Sequence, residues 1–81
     1  MAMETAILER ITAALQPADV KVAVVDAASG KYAVRVVAAA FDGKPLLARH
    51  RLVNAAVGMQ DPETAARVHA LEIEALAPGE E

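Results

Sequence analysis

The apolar residues of this chain change their spacing three times, and that alternation limits the fold more tightly than any single motif. Ile7, Ile11 and Leu15, with Leu8 and Ala14 beside them, recur at helical intervals from about Glu4 to Leu15. Pro17 prevents continuation, and Gln16 before it is expected to be extended. From Val20 the interval drops to two. Val20, Val22 and Val24 alternate with Lys21 and Ala23, the pattern of a half-buried strand. The stretch from Asp26 to Gly30 is a turn cluster, with Gly30 free to take positive φ. Tyr32, Val34, Val36 and Ala38 then alternate with Ala33 and Arg35, which predicts a second strand and an antiparallel hairpin.

The helical interval returns after Asp42, Gly43, Lys44 and Pro45, with Pro45 near the first helical position, where a missing N–H costs nothing. Leu46, His50, Val53 and Val57 form one stripe, with Arg49 beside it and Arg51 nearly opposite, and Gly58 is a natural stop. Asp61, Pro62 and Glu63 start a short third helix, with Asp61 as N-cap. From Val68 the interval is two again, so His69, Leu71, Ile73 and Ala75 are expected on one face and Glu72 and Glu74 on the other. Residues from about 77 to 81 read as a flexible, solvated tail. The order α-β-β-α-α-β predicts an α+β two-layer sandwich. Its three-stranded mixed sheet carries the helices on one face, with the last strand joined by a right-handed crossover.

Composition bounds the chemistry. A chain of 81 residues fits one domain, here 1–81. It contains no Cys, which removes disulfides, thiolate ligands and thiol nucleophiles. Apolar residues are 56% of the chain but aromatics only 2%, so the core must be built from small aliphatic side chains. The net charge of −3 has the wrong sign for a dedicated nucleic-acid binder. Residues Met1 to Arg10 lack the pattern of a signal peptide, and no apolar run approaches the roughly 20 residues of a spanning helix. A cytoplasmic protein is expected, with an organelle matrix or the nucleus as other compartments. The sequence shows no Ser–His–Asp or Cys–His arrangement, no Gly-rich phosphate loop and no HExxH motif, and its one serine, Ser29, sits in a turn. The expectation is a protein that is not an enzyme.

Three stretches, in order and on the elements derived above, resemble the BolA family: Phe41-Asp42-Gly43-Lys44, Arg49-His50-Arg51-Leu52-Val53-Asn54 and Val68-His69-Ala70-Leu71-Glu72-Ile73. The resemblance spans the chain from the first helix to Pro78. It implies a fold related to the type II KH arrangement. It also implies heterodimers with a monothiol glutaredoxin that can hold a two-iron, two-sulfur cluster, with His69 as cluster ligand or docking residue. Some members of the family are instead described as DNA-binding regulators of morphology and stress response. This sequence departs from the family in the loop between the first two strands, which often carries a second His or Cys ligand. Here Asp26 to Lys31 offers only Asp26, Ser29 and Lys31, and Lys31 falls about where a loop histidine would lie.

Read from the residues alone, a lone His69 is a structural histidine on an inward strand face, and the resemblance turns it into a ligand. His50, within an apolar stripe, reads as a core histidine pinned by a hydrogen bond; a His50–His69 metal pair is the other reading. Such clusters need about four ligands, mostly thiolates. With two His and no Cys, the isolated chain binds none, and any cluster must be shared with a glutaredoxin cysteine and glutathione. The resemblance places partner binding on His69, Arg49, Arg51, Lys31 and Ser29, and the chain alone is expected as a monomer or weak dimer. Lys44, Arg49, Arg51 and Arg67 gather basic charge around the second and third helices, and the DNA alternative would use Arg49, Arg51 and Arg67. The sequence has no Gly-x-x-Gly loop of the RNA-clamping KH type and few aromatics to stack bases.

Overall fold

A computed structural model describes residues 2–81. Helix α1 (Met3–Leu15) leads into strand β1 (Asp19–Asp26) and strand β2 (Lys31–Val37). A 3-10 turn (Ala39–Phe41), helix α2 (Leu46–Val57), helix α3 (Pro62–Arg67) and strand β3 (Ala70–Leu76) follow. The sheet order is β1-β2-β3, with β1 antiparallel and β3 parallel to β2. This is the α+β sandwich with a three-stranded mixed sheet that the spacing predicts.

One face of the sheet makes the core. Tyr32, Val34 and Val36 lie opposite Leu71, Ile73 and Ala75 on β3 and opposite Val24, Val22 and Val20 on β1. Tyr32, Val34 and Val36 pack in one cluster with Ile7 and Ile11 of α1, Val53 and Val57 of α2, and Phe41 and Val68 from the connections, while Val24 at the far end of β1 is exposed. Phe41 is the bulkiest of the fully buried side chains, and the others at that depth are Ile and Val, which fits a core assembled without other large rings. The opposite face carries Lys21, Ala23, Ala33, Arg35, Glu72 and Glu74. There Arg35 pairs with Glu74 at 2.7 Å and with Asp19 at 3.7 Å. Such exposed pairs stabilise a fold only weakly.

Several local expectations change. Gln16 is left-handed, with φ 46° and ψ 56°, because its N–H caps the carbonyl of Thr12 and closes α1; that cap outweighs the extended preference before proline. The second strand ends at Val37, one residue short of Ala38, and a 3-10 turn that includes Phe41 follows. Pro45 is the N-cap of α2, just outside the helix. Strand β3 begins at Ala70, not Val68. Val68 is buried as the cap of α3 and takes the core position, so the alternation slips and His69 points out to solvent. The segment after β3 is solvated only in part. Ala77 is buried, its N–H donates to Glu80 Oε1 at 2.9 Å, and the Glu80 N–H donates to the Ala77 carbonyl at 3.0 Å.

Candidate partner-docking site

The exposed His69 is held by the backbone on both sides. Asp61 caps α3 through its carboxylate, which accepts from the Thr64 N–H at 3.2 Å and the Thr64 hydroxyl at 3.1 Å. Arg10 reaches across from α1 and donates through Nη1 to the Val57 carbonyl at 2.9 Å and to Thr64 Oγ1 at 3.0 Å. Arg10 thus braces the end of α2 against α3, one turn before His69. No motif marks it, and its role is invisible without the tertiary contact.

On the other side stands the β1–β2 loop. Asp26 Oδ1 accepts from the Ala28 N–H at 3.1 Å, turning the chain back, and the Gly30 N–H donates to the Ala27 carbonyl at 3.2 Å. The Gly30 carbonyl then accepts from the His69 N–H at 2.9 Å and from the Ala70 N–H at 3.3 Å, which starts β3. Gly30 has φ +67°, and a Cβ there would lie 2.6 Å from the Arg67 carbonyl oxygen and 2.8 Å from His69 Cδ2. The turn reading of the sequence anticipates the positive φ but not this close approach. The result is one rim where Ser29, Lys31 and His69 come together. Ser29 is exposed, and the Lys31 ammonium sits 3.3 Å from the Glu72 carboxylate.

Arg49 lies elsewhere. Its Nε donates to the Lys44 carbonyl at 2.7 Å, and its Nη1 donates to the Ala75 carbonyl at 3.2 Å and to Glu80 Oε1 at 2.5 Å. Nη2 completes a fork to Glu80 Oε2 at 3.0 Å. Ala75 is five residues along β3 from Ala70, about 16 Å at strand rise, so Arg49 and His69 mark opposite ends of the sheet. Arg51 is exposed on α2. Arg67 is exposed at the His69 end, beside a small cleft also lined by Met3, Arg10, Asp61, Glu63 and Thr64. Of the three arginines of the DNA alternative, Arg49 and Arg67 therefore lie toward opposite ends of the sheet. His50 is half-buried, and its Nε2 is enclosed with no hydrogen-bond partner among the described residues, contrary to the pinned-histidine expectation.

The Arg49 fork and the Ala77 N–H hold the Glu80 carboxyl well below its ordinary value of 4.5, at about 2, while the hydrogen bond that Arg49 donates to Glu80 raises Arg49. A depressed carboxyl stabilises the fold above its unfolded pKa and loses that contribution as pH falls through the folded one. The expected titration is an intact Arg49–Glu80 contact down to about pH 4 that is lost as pH approaches 2. Following the Glu80 side-chain carbonyl carbon by NMR checks this; a midpoint at 4.5 would show the fork does not hold in solution.

Among the described residues no group of three or more His, Cys, Asp or Glu is placed to hold a metal ion. At the His69 rim the imidazole is the one donor of intermediate softness. Asp26 is a hard ligand and a protonated Lys31 has no lone pair to give. The rim thus offers one donor of the kind such a cluster takes, short of the roughly four it needs.

Fold and site together define a small α-β-β-α-α-β module with a histidine displayed at the mouth of its hairpin loop. Residues 11–80 match the family model described as BolA-like protein, and the chain belongs to the BolA-like family. It is 48% identical over 50 residues to human BolA-like protein 2, which covers 62% of this chain and 54% of that protein. The chain thus aligns with about half the length of the curated relatives it matches. Among solved structures it is similar to a bol-like protein from Babesia bovis, at 32% identity and TM-score 0.84, covering 99% of this chain and 90% of that one. It is also similar to the BolA domain of SufE1 from Arabidopsis thaliana, at 31% identity and TM-score 0.86, covering 100% of this chain and 98% of that one. No helix among the described residues is long and apolar enough to cross a membrane.

Proposed function

We propose that this protein is a non-enzymatic adaptor in iron–sulfur cluster trafficking and iron homeostasis, acting in the cytoplasm as a heterodimer with a monothiol glutaredoxin. The heterodimer shares a two-iron, two-sulfur cluster as its cargo, with His69 as this chain's ligand and a glutaredoxin cysteine and glutathione supplying sulfur. One observation carries the reading: the His69 imidazole is exposed while its backbone is pinned to the Gly30 carbonyl at 2.9 Å. A ligand that must meet a partner needs a free ring on a fixed base, because a preset geometry lowers the ordering cost of association. Ser29 and Lys31 flank the ring and would form the docking rim.

The DNA-binding reading has less support. Arg49 is already committed to two carbonyls and Glu80, so phosphate contact through it would require breaking that set.

The test is reconstitution with a monothiol glutaredoxin, iron, sulfide and glutathione, followed by visible absorption and circular dichroism of the purified complex. The wild type is expected to give a heterodimer spectrum distinct from that of the glutaredoxin homodimer, and His69→Ala to abolish it. The substitution should leave thermal stability within about 0.5 kcal/mol, as for other surface changes. A spectrum unchanged in His69→Ala would remove the histidine from the cluster. Complex formation without any cluster would leave docking alone.

A further inference from the structure

The Arg49 end of the molecule has a construction of its own. The guanidinium is oriented by the Lys44 and Ala75 carbonyls, which leaves its two terminal nitrogens presented as a fork, the geometry that matches a carboxylate. Glu80 fills the fork, yet the two partners are unequally covered: the Arg49 side chain is 12% exposed and that of Glu80 44%. The site belongs to the folded body, whereas the occupant is carried on a short segment that follows the last strand. Beyond Arg49, that occupant is tied by its two hydrogen bonds with Ala77. In the first turn of α2, Leu46 and Leu47 are 64% and 61% exposed, with Leu46 one turn before Arg49 and the exposed Lys44 just ahead of the helix. Asp42 also acts on Arg49, so general positive charge is small here and selectivity must come from the fork.

From this arrangement we infer that Arg49 is a carboxylate-binding site which Glu80 occupies in cis, and which an acidic, aliphatic peptide segment of a partner occupies by displacing residues 78–81. The exposed leucines give such a segment apolar contact that Glu80 does not use. A short intramolecular connection holds Glu80 at an effective concentration on the order of millimolar, so simple carboxylates at lower concentration do not compete. A peptide that adds contacts to Leu46 and Leu47 does. This site is separate from His69 and needs neither glutaredoxin nor cluster.

The experiment follows the Arg49 Nε–H signal by NMR while the acetylated, amidated peptide Leu-Leu-Glu-Glu is titrated into the whole protein. Glu80→Gln, which keeps the shape of the segment and removes the competing charge, is expected to bind the peptide at least about tenfold more tightly than the wild type. A control peptide with Gln in place of Glu is expected to leave the signal unmoved. Arg49→Lys keeps the charge but loses the fork, and should lose saturable binding as judged by backbone amide shifts near Leu46 and Leu47. Equal affinity for wild type and Glu80→Gln would overturn the cis-occupancy claim, and so would the absence of saturation in Glu80→Gln at several millimolar peptide. Equal binding of the Gln peptide would overturn the carboxylate claim. The Glu80→Gln arm does not depend on whether Arg49→Lys folds.

Discussion

Phe41→Ala is expected to destabilise the fold by about 3–5 kcal/mol, the range for truncating a buried aromatic ring. Phe41 is fully buried and sits where α1, α2 and β2 converge on one cluster. Its surroundings are mostly Ile and Val, branched and stiff at χ1, so they have little freedom to close the cavity that the missing ring would leave. A domain of this size has only roughly 4–12 kcal/mol of total stability at about 0.05–0.15 kcal/mol per residue. The variant should therefore melt on the order of 20 °C lower and populate unfolded chain at physiological temperature. Thermal and urea unfolding followed by circular dichroism measure this. A loss below about 1 kcal/mol would mean that the 3-10 turn repacks and that Phe41 is not the keystone its burial implies.

The same substitution divides the Phe41-Asp42-Gly43-Lys44 stretch by role. Asp42 and Lys44 are exposed, and the Lys44 contribution to the Arg49 cluster is its backbone carbonyl, which survives Lys44→Ala. The first residue of that motif holds the core together, and the residues after it deliver the chain to the start of α2.

How far the sequence was legible depends on whether a feature is written in periodicity or in tertiary contact. The alternation of Val20, Val22 and Val24 with Lys21 and Ala23, and the stripe of Val53 and Val57, are local consequences of which face each element buries, so element order and sheet layers could be read directly. The start of β3 could not. Val68 and His69 are both compatible with an extended strand entrance, and choosing which of them faces inward requires knowing that Val68, at the C-cap of α3, joins the core cluster. The separation of Arg49 from His69 is hidden for a related reason. Both lie in family motifs, but parallel pairing of β2 with β3 sends the start of α2 to one end of the sheet and the end of α3 to the other. The Glu80 contact is hidden because a tail rich in Pro, Gly and Glu looks solvated by composition, and only the position of the Arg49 fork shows where its carboxylate goes.

Gly30→Ala is expected to be the other large effect, at about 2–4 kcal/mol, because two costs coincide there: a left-handed backbone for a residue with a Cβ and forced overpacking against neighbours. The second cost is unusual in kind. The nearest obstacle, 2.6 Å away, is the Arg67 carbonyl oxygen, which is backbone and cannot swing aside as a side-chain tip would. Gly43→Ala supplies the control, since Gly43 has a similar φ of +73° but nothing within 4 Å of the added Cβ. That variant should cost only the conformational part, about 1–2 kcal/mol, so the difference between the two measures the close approach. Relief of the clash must separate the hairpin loop from the start of β3. The separation lengthens the bond from the His69 N–H to the Gly30 carbonyl, and faster hydrogen exchange at the His69 amide, beyond that in Gly43→Ala, reports it directly. Unchanged exchange there would mean that the loop and the strand yield elsewhere. If His69 does ligate a shared cluster, Gly30→Ala should weaken cluster retention in the heterodimer while every donor atom remains present, since what it removes is the fixed base on which the imidazole stands.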